Sequence, residues 1–116
     1  MKTIIAGSRS IIEFKHVFNA VKKSGFNITE IVSGTAKGVD RLGELYGKNF
    51  KIPVKQFPAD WNQYGKRAGM IRNQQMSDYA DALIAIYDGV SSGTKNMIEI
   101  AKKDELEVFV YEIYED

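Results

Sequence analysis

Along this chain the spacing of apolar positions switches repeatedly between two periods. Lys2–Ala6 is a short β-rich run that breaks at Gly7. From Ile11 to Ser24, the residues Phe14, Val17, Phe18 and Val21 fall at i, i+3, i+4 and i+7, which predicts one apolar helix face ended by Gly25. Glu30–Ser33 reads as a second strand, and Val39, Leu42, Tyr46 and Phe50 mark a second helix. Pro53–Phe57 is a third strand, and residues from Gly65 to Ala80 are helical. Ala82–Tyr87 is a strand of the buried type, Thr94–Lys103 a further helix, and Glu107–Ile113 a last strand.

The order is therefore β-α-β-α-β-α-β-α-β. Such alternation with short connections predicts an α/β fold: a doubly wound, Rossmann-like parallel sheet of five strands with helices on both faces. One domain over residues 1–116 accommodates it, and no repeat, linker or low-complexity segment interrupts it. The acidic end, Glu112, Glu115 and Asp116, reads as a solvated terminus.

Composition narrows the chemistry. An apolar fraction of 44% and a charged fraction of 27% are those of an ordinary globule. Sixteen basic against 15 acidic residues supply no field to hold a polyanion, so duplex nucleic acid is disfavoured as a partner. With no cysteine, thiolate catalysis and Cys-ligated metals are excluded; a single histidine, His16, makes a His-based zinc site implausible, and no metal is expected. His16 lies off the apolar stripe of its helix and is assigned to the surface. No segment has signal-peptide or membrane-spanning character, which makes a cytoplasmic location the expectation.

In open α/β sheets ligands bind beyond the carboxyl ends of the strands, where strand order reverses. Three unusual loops sit there: Gly7-Ser8-Arg9-Ser10, Ser33-Gly34-Thr35-Ala36-Lys37-Gly38, and Asp88-Gly89-Val90-Ser91-Ser92-Gly93-Thr94. Strand order 3-2-1-4-5 brings all three to one crevice, whereas a flavodoxin-like 2-1-3-4-5 separates them. The clustering favours the first. Each loop opens into a helix, whose unpaired N–H groups and partial positive charge suit phosphate. Taken singly, each also reads as a tight turn, with Thr35 and Thr94 as helix caps. None is a complete dinucleotide fingerprint or Walker A loop.

The stretch from Phe57 to Met76, FPADWNQYGKRAGMIRNQQM, adds a second wall. On a helix Gly69, Arg72, Asn73 and Met76 share one face. Arg72 and Asn73 together suit a phosphate or a ribose, or alternatively Arg72 is a structural residue bonded to carbonyls. Trp61 suits stacking on a nucleobase, or plugs the end of the sheet. Asp60 orients a sugar hydroxyl or caps the following turn. Asp40, one turn into the second helix, faces a ribose hydroxyl, pairs with Arg9 or Arg72, or simply complements the helix dipole.

Together the segments AGSRS, SGTAKGVD, FPADW, GKRAGMIRNQQM and DGVSSGTKNMIEIA resemble the SLOG superfamily, named for the Smf/DprA and LOG proteins. Within it the chain looks like the YspA-like, YpsA-related branch of small stand-alone domains, over almost all of Lys2 to Ala101. The resemblance implies a Rossmann-like fold and a nucleotide or ADP-ribose-like ligand. It implies site positions at Gly7, Ser8, Arg9, Gly34, Gly38, Asp40, Arg72, Asn73, Gly93 and Thr94, with Asp60 and Trp61 matching an ADW motif. The loop reading adds Thr35 and Ser92. Assembly into homodimers or larger oligomers is a further family expectation.

LOG enzymes look like PGGxGTxxE at the fourth loop, and their Glu belongs to the catalytic machinery. Here that position is Met97, and Glu99 lies about 200° further round the helix, which counts against LOG-type phosphoribohydrolase activity. Three functions follow in order: a binding module that senses or sequesters a nucleotide-derived ligand; a nucleotide hydrolase; and a single-strand nucleic-acid binder. For the hydrolase no catalytic residue is assigned, and Asp40 and Asp60 are the carboxylates available as acid or base.

Overall fold

The structure is a computed structural model and describes residues 1–113. Its elements run β1 (Lys2–Gly7), α1 (Phe14–Ser24), β2 (Glu30–Ser33), α2 (Val39–Phe50), β3 (Val54–Gln56), α3 (Trp61–Tyr64), a 3-10 turn (Gly65–Arg67), α4 (Ala68–Tyr79), β4 (Ala82–Tyr87), α5 (Ser92–Lys103) and β5 (Glu107–Glu112). All strand pairings are parallel and the order is β3-β2-β1-β4-β5. The expected fold and strand order are both present. Of the acidic end, Glu115 and Asp116 lie outside the described residues, and Glu112 is the exposed last residue of β5.

The sheet is covered on both faces because neighbouring residues of each strand point to opposite sides. Ile5, Ile31, Ile84 and Ile86 meet Val17, Val21 and Val39 of α1 and α2. On the other face Ile4, Val32, Leu83 and Ala85 meet Met76, Met97 and Ala101 of α4 and α5. β1 and β4 are buried on both sides, which is why they read as near-continuous apolar runs.

Several details differ from the periodicity. α1 starts at Phe14 because Glu13 is still extended (φ −95°, ψ 123°), although Ile11 before it is buried. The apolar stripe of α2 packs on the core through Val39, Leu42 and Tyr46, and Gly43 and Gly47 let the helix lie close to the sheet, since a Cβ on Gly43 would stand 3.0 Å from Ile5. Phe50, the last residue of α2, is 48% exposed and stacks on Tyr46, while Phe18 at 41% leans against Phe50. The predicted helix from Gly65 is broken. Gly65–Arg67 is a 3-10 turn, and α4 begins at Ala68, behind the separate turn of α3. His16 is half-buried rather than on the open surface.

Candidate functional site

The reversal of strand order between β1 and β4 opens a crevice at the carboxyl ends of the strands, and a cavity of about 710 Å³ lies there. Its floor is the β1 loop, where Gly7, Ser8 and Arg9 leave the sheet. Ser8 ties this loop to its neighbours: its hydroxyl accepts from Asp88 N at 3.3 Å, and its carbonyl accepts from Ile11 N and Val39 N.

The β4 loop forms the second side. Asp88 Oδ1 accepts from Val90 N and Ser91 N, both at 2.9 Å, and these N–H groups hold its carboxyl below the usual carboxylate range. The cap of α5 is Ser91, which accepts from Thr94 N at 3.3 Å, and not the expected Thr94. Thr94 sits one turn in, buried, with its hydroxyl 2.9 Å from that of Ser91. Ser92 and Gly93 remain exposed on the cavity wall, and a Cβ on Gly93 would meet nothing within 4 Å.

The third side is α4. Gly69, Arg72, Asn73 and Met76, predicted to share one face, all line the cavity. Arg72 donates through Nη1 to the Gly34 carbonyl and through Nε to Asn73 Oδ1 at 3.0 Å. Asn73 passes the connection on, donating to Asn96 Oδ1 at 3.0 Å and to Gly93 O at 3.4 Å. A chain of side chains thus joins the β2 loop, α4 and the first turn of α5. Arg72 is bonded to a carbonyl, as its structural reading expected, and also lines the cavity.

Asp40, 6% exposed, reaches the cavity from α2. Burial raises its pKa to about 6, against the pull of the Ala36 N–H on Oδ2 at 3.1 Å and of the Arg72 charge. Burial likewise lowers the pKa of Arg72, against the pull of Asp40. The two do not form a contact ion pair within 4.0 Å, unlike the exposed Lys15 and Glu13. The carboxylate of Asp40 holds the β2 loop from inside.

Other expected residues land elsewhere. Gly34 and Thr35 line a smaller adjoining hollow of about 130 Å³, together with Arg9, Trp61 and Arg72 from the main wall. Thr35 does not cap α2. It adopts φ 64°, its N–H donates to Ser33 Oγ, and the helix starts after Gly38. Gly38 lines neither space. At φ 78° and ψ −128°, a Cβ there would stand 2.5 Å from Ser8 O, so the glycine lets the β2 loop lie against the β1 loop. Asp60 also lines neither, because its Oδ1 is taken as the α3 cap by Gln63 N at 3.0 Å.

Trp61 faces both spaces and is 53% exposed, so it does not plug the sheet. Its ring edge lies 3.7 Å from where a Cβ on Gly69 would be. Lys66, in the 3-10 turn, also lines the main cavity and carries a second exposed cation beside Arg9. Sequence reasoning misses Lys66 because that turn has the pattern of continuous helix. It misses Asn96 because an Asn within a helix stripe carries no motif.

The site therefore offers cations, hydroxyls, open backbone and one aromatic plate, which suits an anionic ligand with a flat ring. Met97, where LOG-like sequences have Glu, is 1% exposed and forms apolar floor. Among the described residues no group of three or more acidic, His or Cys side chains is arranged to hold a metal, and no helix is long and apolar enough to cross a membrane.

The chain is 29% identical over 112 residues to the Gene 61 protein of Mycobacterium phage D29, covering 88% of this chain and 89% of that one. It is 40% identical over 45 residues to the uncharacterized SPbeta prophage-derived protein YoqJ of Bacillus subtilis, covering 39% of this chain and 26% of that one. The fold is shared with DNA processing protein A (DprA) from Streptococcus pneumoniae at a TM-score of 0.76 and 17% identity. That match covers 94% of this chain and 49% of DprA, so the chain spans about half of that protein. The model of the YspA, cpYpsA-related SLOG family matches residues 1–64, and the chain belongs to that family.

Proposed function

We propose that this protein binds a nucleotide or nucleotide-derived small ligand, acting as a sensor or sequestering module in the cytoplasm. The observation that carries this reading is the convergence of Arg9, Lys66, the exposed Trp61 and the open Gly93 turn on one cavity of about 710 Å³. A ring stacks on Trp61 while the phosphates meet the cations and the backbone N–H groups at the start of α5. The phage and prophage origin of two relatives fits sequestration of a nucleotide in an infected cell. A panel of mono- and dinucleotides, cyclic nucleotides and ADP-ribose, read by thermal shift, tests it. A rise in Tm with at least one class, lost in Arg9→Ala, is expected. No shift with any of them overturns it.

A second reading, hydrolysis of a nucleotide, is favoured by one observation: Asp40 is a buried carboxyl on the cavity wall with a pKa of about 6, close to the range in which a general acid or base works. Chromatography after incubation separates the two. Free base or phosphate that disappears in Asp40→Asn supports hydrolysis, and bound but unchanged nucleotide supports recognition alone.

A further inference from the structure

A near-neutral total charge conceals a division between the two helical layers. All six exposed charged residues of α1, α2 and the C-cap of α2 are basic: Lys15, Lys22, Lys23, Arg41, Lys48 and Lys51. On the opposite layer, α4 and α5 expose Asp78 and Glu99 as well as Lys95, Lys102 and Lys103. The two acids of α2 do not offset the basic face. Asp40 is buried, and Glu44 accepts from Ser33 Oγ and Gln56 Nε2 beside the sheet. Two of the six cations are engaged, Lys15 by Glu13 and Lys23 over the Tyr111 ring. The side chains of Lys22, Arg41, Lys48 and Lys51 make no ion pair or hydrogen bond to another described residue.

Between these cations runs an apolar strip made by both helices. Phe14 stacks on Tyr46 with ring centres 6.2 Å apart, Tyr46 stacks on Phe50 at 4.4 Å, and Phe18 leans on Phe50 at 6.1 Å. Phe18, Leu45 and Phe50 are open to solvent. Helical spacing sets the cations along the borders of this strip. Lys22 lies one turn beyond Phe18 on α1, and Arg41 and Lys48 lie one turn to either side of Leu45 on α2. An aromatic-rich centre inside a charged rim is the anatomy of a protein-docking surface, and this rim has one sign.

The sign of the rim and the packing of the rings choose the occupant. A second copy seated on the same face would bring Lys22, Arg41, Lys48 and Lys51 against themselves, and facing like charges oppose association. A nucleic-acid strand stacks its bases on open ring faces, whereas Phe14, Tyr46 and Phe50 turn ring faces towards one another. A bilayer takes up side chains that protrude into it, whereas Phe18, Leu45 and Phe50 are each more than half covered by their own neighbours. An amphipathic helix fits, because it carries one apolar stripe with charge along both edges. We propose that the outer face of α1 and α2 binds an acidic amphipathic helix of another protein. Its apolar stripe lies on Phe18, Leu45 and Phe50, and its carboxylates meet Lys22, Arg41, Lys48 and Lys51. This surface is separate from the crevice, which none of these residues lines.

Fluorescence anisotropy tests this with a labelled synthetic peptide that has Leu at helical i, i+3, i+4 and i+7 spacing and Glu and Ala elsewhere. The same peptide with Lys for Glu, an oligo-dT strand and phosphatidylserine vesicles are the comparisons. The Glu peptide should bind about tenfold or more tighter than the Lys peptide, and Arg41→Glu combined with Lys48→Glu should remove that preference. Both side chains are exposed, so the charge-reversed protein should keep its far-UV circular dichroism and its Tm. Phe50→Ser should also weaken the Glu peptide by about tenfold or more. Unchanged affinity in Phe50→Ser would reduce the contact to a diffuse cationic field and overturn the docking site. Equal binding of the two peptides, or binding of neither, overturns the proposal. Tighter binding of the oligonucleotide or the vesicles, lost in the charge-reversed protein, overturns it in favour of that polyanion.

Discussion

The guanidinium of Arg72 lies against the backbone of Gly34, 38 residues earlier in the chain: Nη1 donates to the Gly34 carbonyl, and a Cβ on residue 34 would stand 2.8 Å from that same nitrogen. The contact closes the β2 loop onto α4 and holds the guanidinium at the crevice wall. Arg72→Ala leaves the Gly34 carbonyl without its donor and should cost about 1–3 kcal/mol in urea unfolding, besides weakening nucleotide binding. Gly34→Ala drives a Cβ to 2.8 Å from both Arg72 Nη1 and the buried Asp40 Oδ2, so it should lower stability as well as bind poorly. Full ligand affinity in Gly34→Ala would show that the position of Arg72 does not matter to the site.

Gly93 separates folding from binding in the opposite direction. A Cβ there meets open space, and alanine is the better helix residue by about 0.5–1 kcal/mol. Gly93→Ala should therefore raise Tm. If a phosphate approaches the backbone at the start of α5, the added methyl stands in its way and affinity falls. A stabilised variant that binds as well as the unaltered protein would move the ligand away from this turn.

Trp61 is the only tryptophan in the chain, and half of its surface is open beside the cavity. Its fluorescence should therefore change on binding a ligand that carries a base. Trp61→Ala should alter stability by less than about 1 kcal/mol, as surface changes do, and should weaken such a ligand by about 1–3 kcal/mol through lost stacking. Unchanged affinity would remove Trp61 from the site.

Asp40 sets a pH dependence whose sign follows from its burial. Its folded-state pKa of about 6 lies above the ordinary 3.8, so the folded protein holds this proton more tightly than the unfolded chain does. The resulting stabilisation is fully present below the ordinary value and is lost as pH rises through about 6. A shift of this size corresponds to at most about 3 kcal/mol. Asp40→Asn retains an acceptor for the Ala36 N–H but does not titrate. The stability difference, unaltered protein minus variant, should decline from about pH 4 to about pH 7. Asp88 and Asp104, whose pKa values are lowered, act in both proteins and cancel. A flat difference would refute the raised pKa.

Oligonucleotide binding provides a further check on the charge argument. With a net charge of +1, any affinity for single-stranded DNA should vanish as salt approaches the physiological range. Binding that survives such salt would revive the nucleic-acid reading.

Local pattern alone carries the parallel α/β class and most of the elements, because apolar periodicity is local, and the clustering of the Gly-rich loops favours the strand order. It also puts Gly69, Arg72, Asn73 and Met76 on one face, a consequence of helical pitch. Which groups are already engaged is settled by tertiary packing. Asp60 is taken by the Gln63 N–H, and Ser91 rather than Thr94 caps α5. Gly43 and Gly47 let α2 sit close on the sheet, and Phe50 at its end stays 48% exposed. Packing likewise makes Asn73 bridge to Asn96 and turns Lys66 to the cavity. Those facts depend on how helices dock against the sheet and against each other. Docking matches surfaces distant in sequence, and no local period records it.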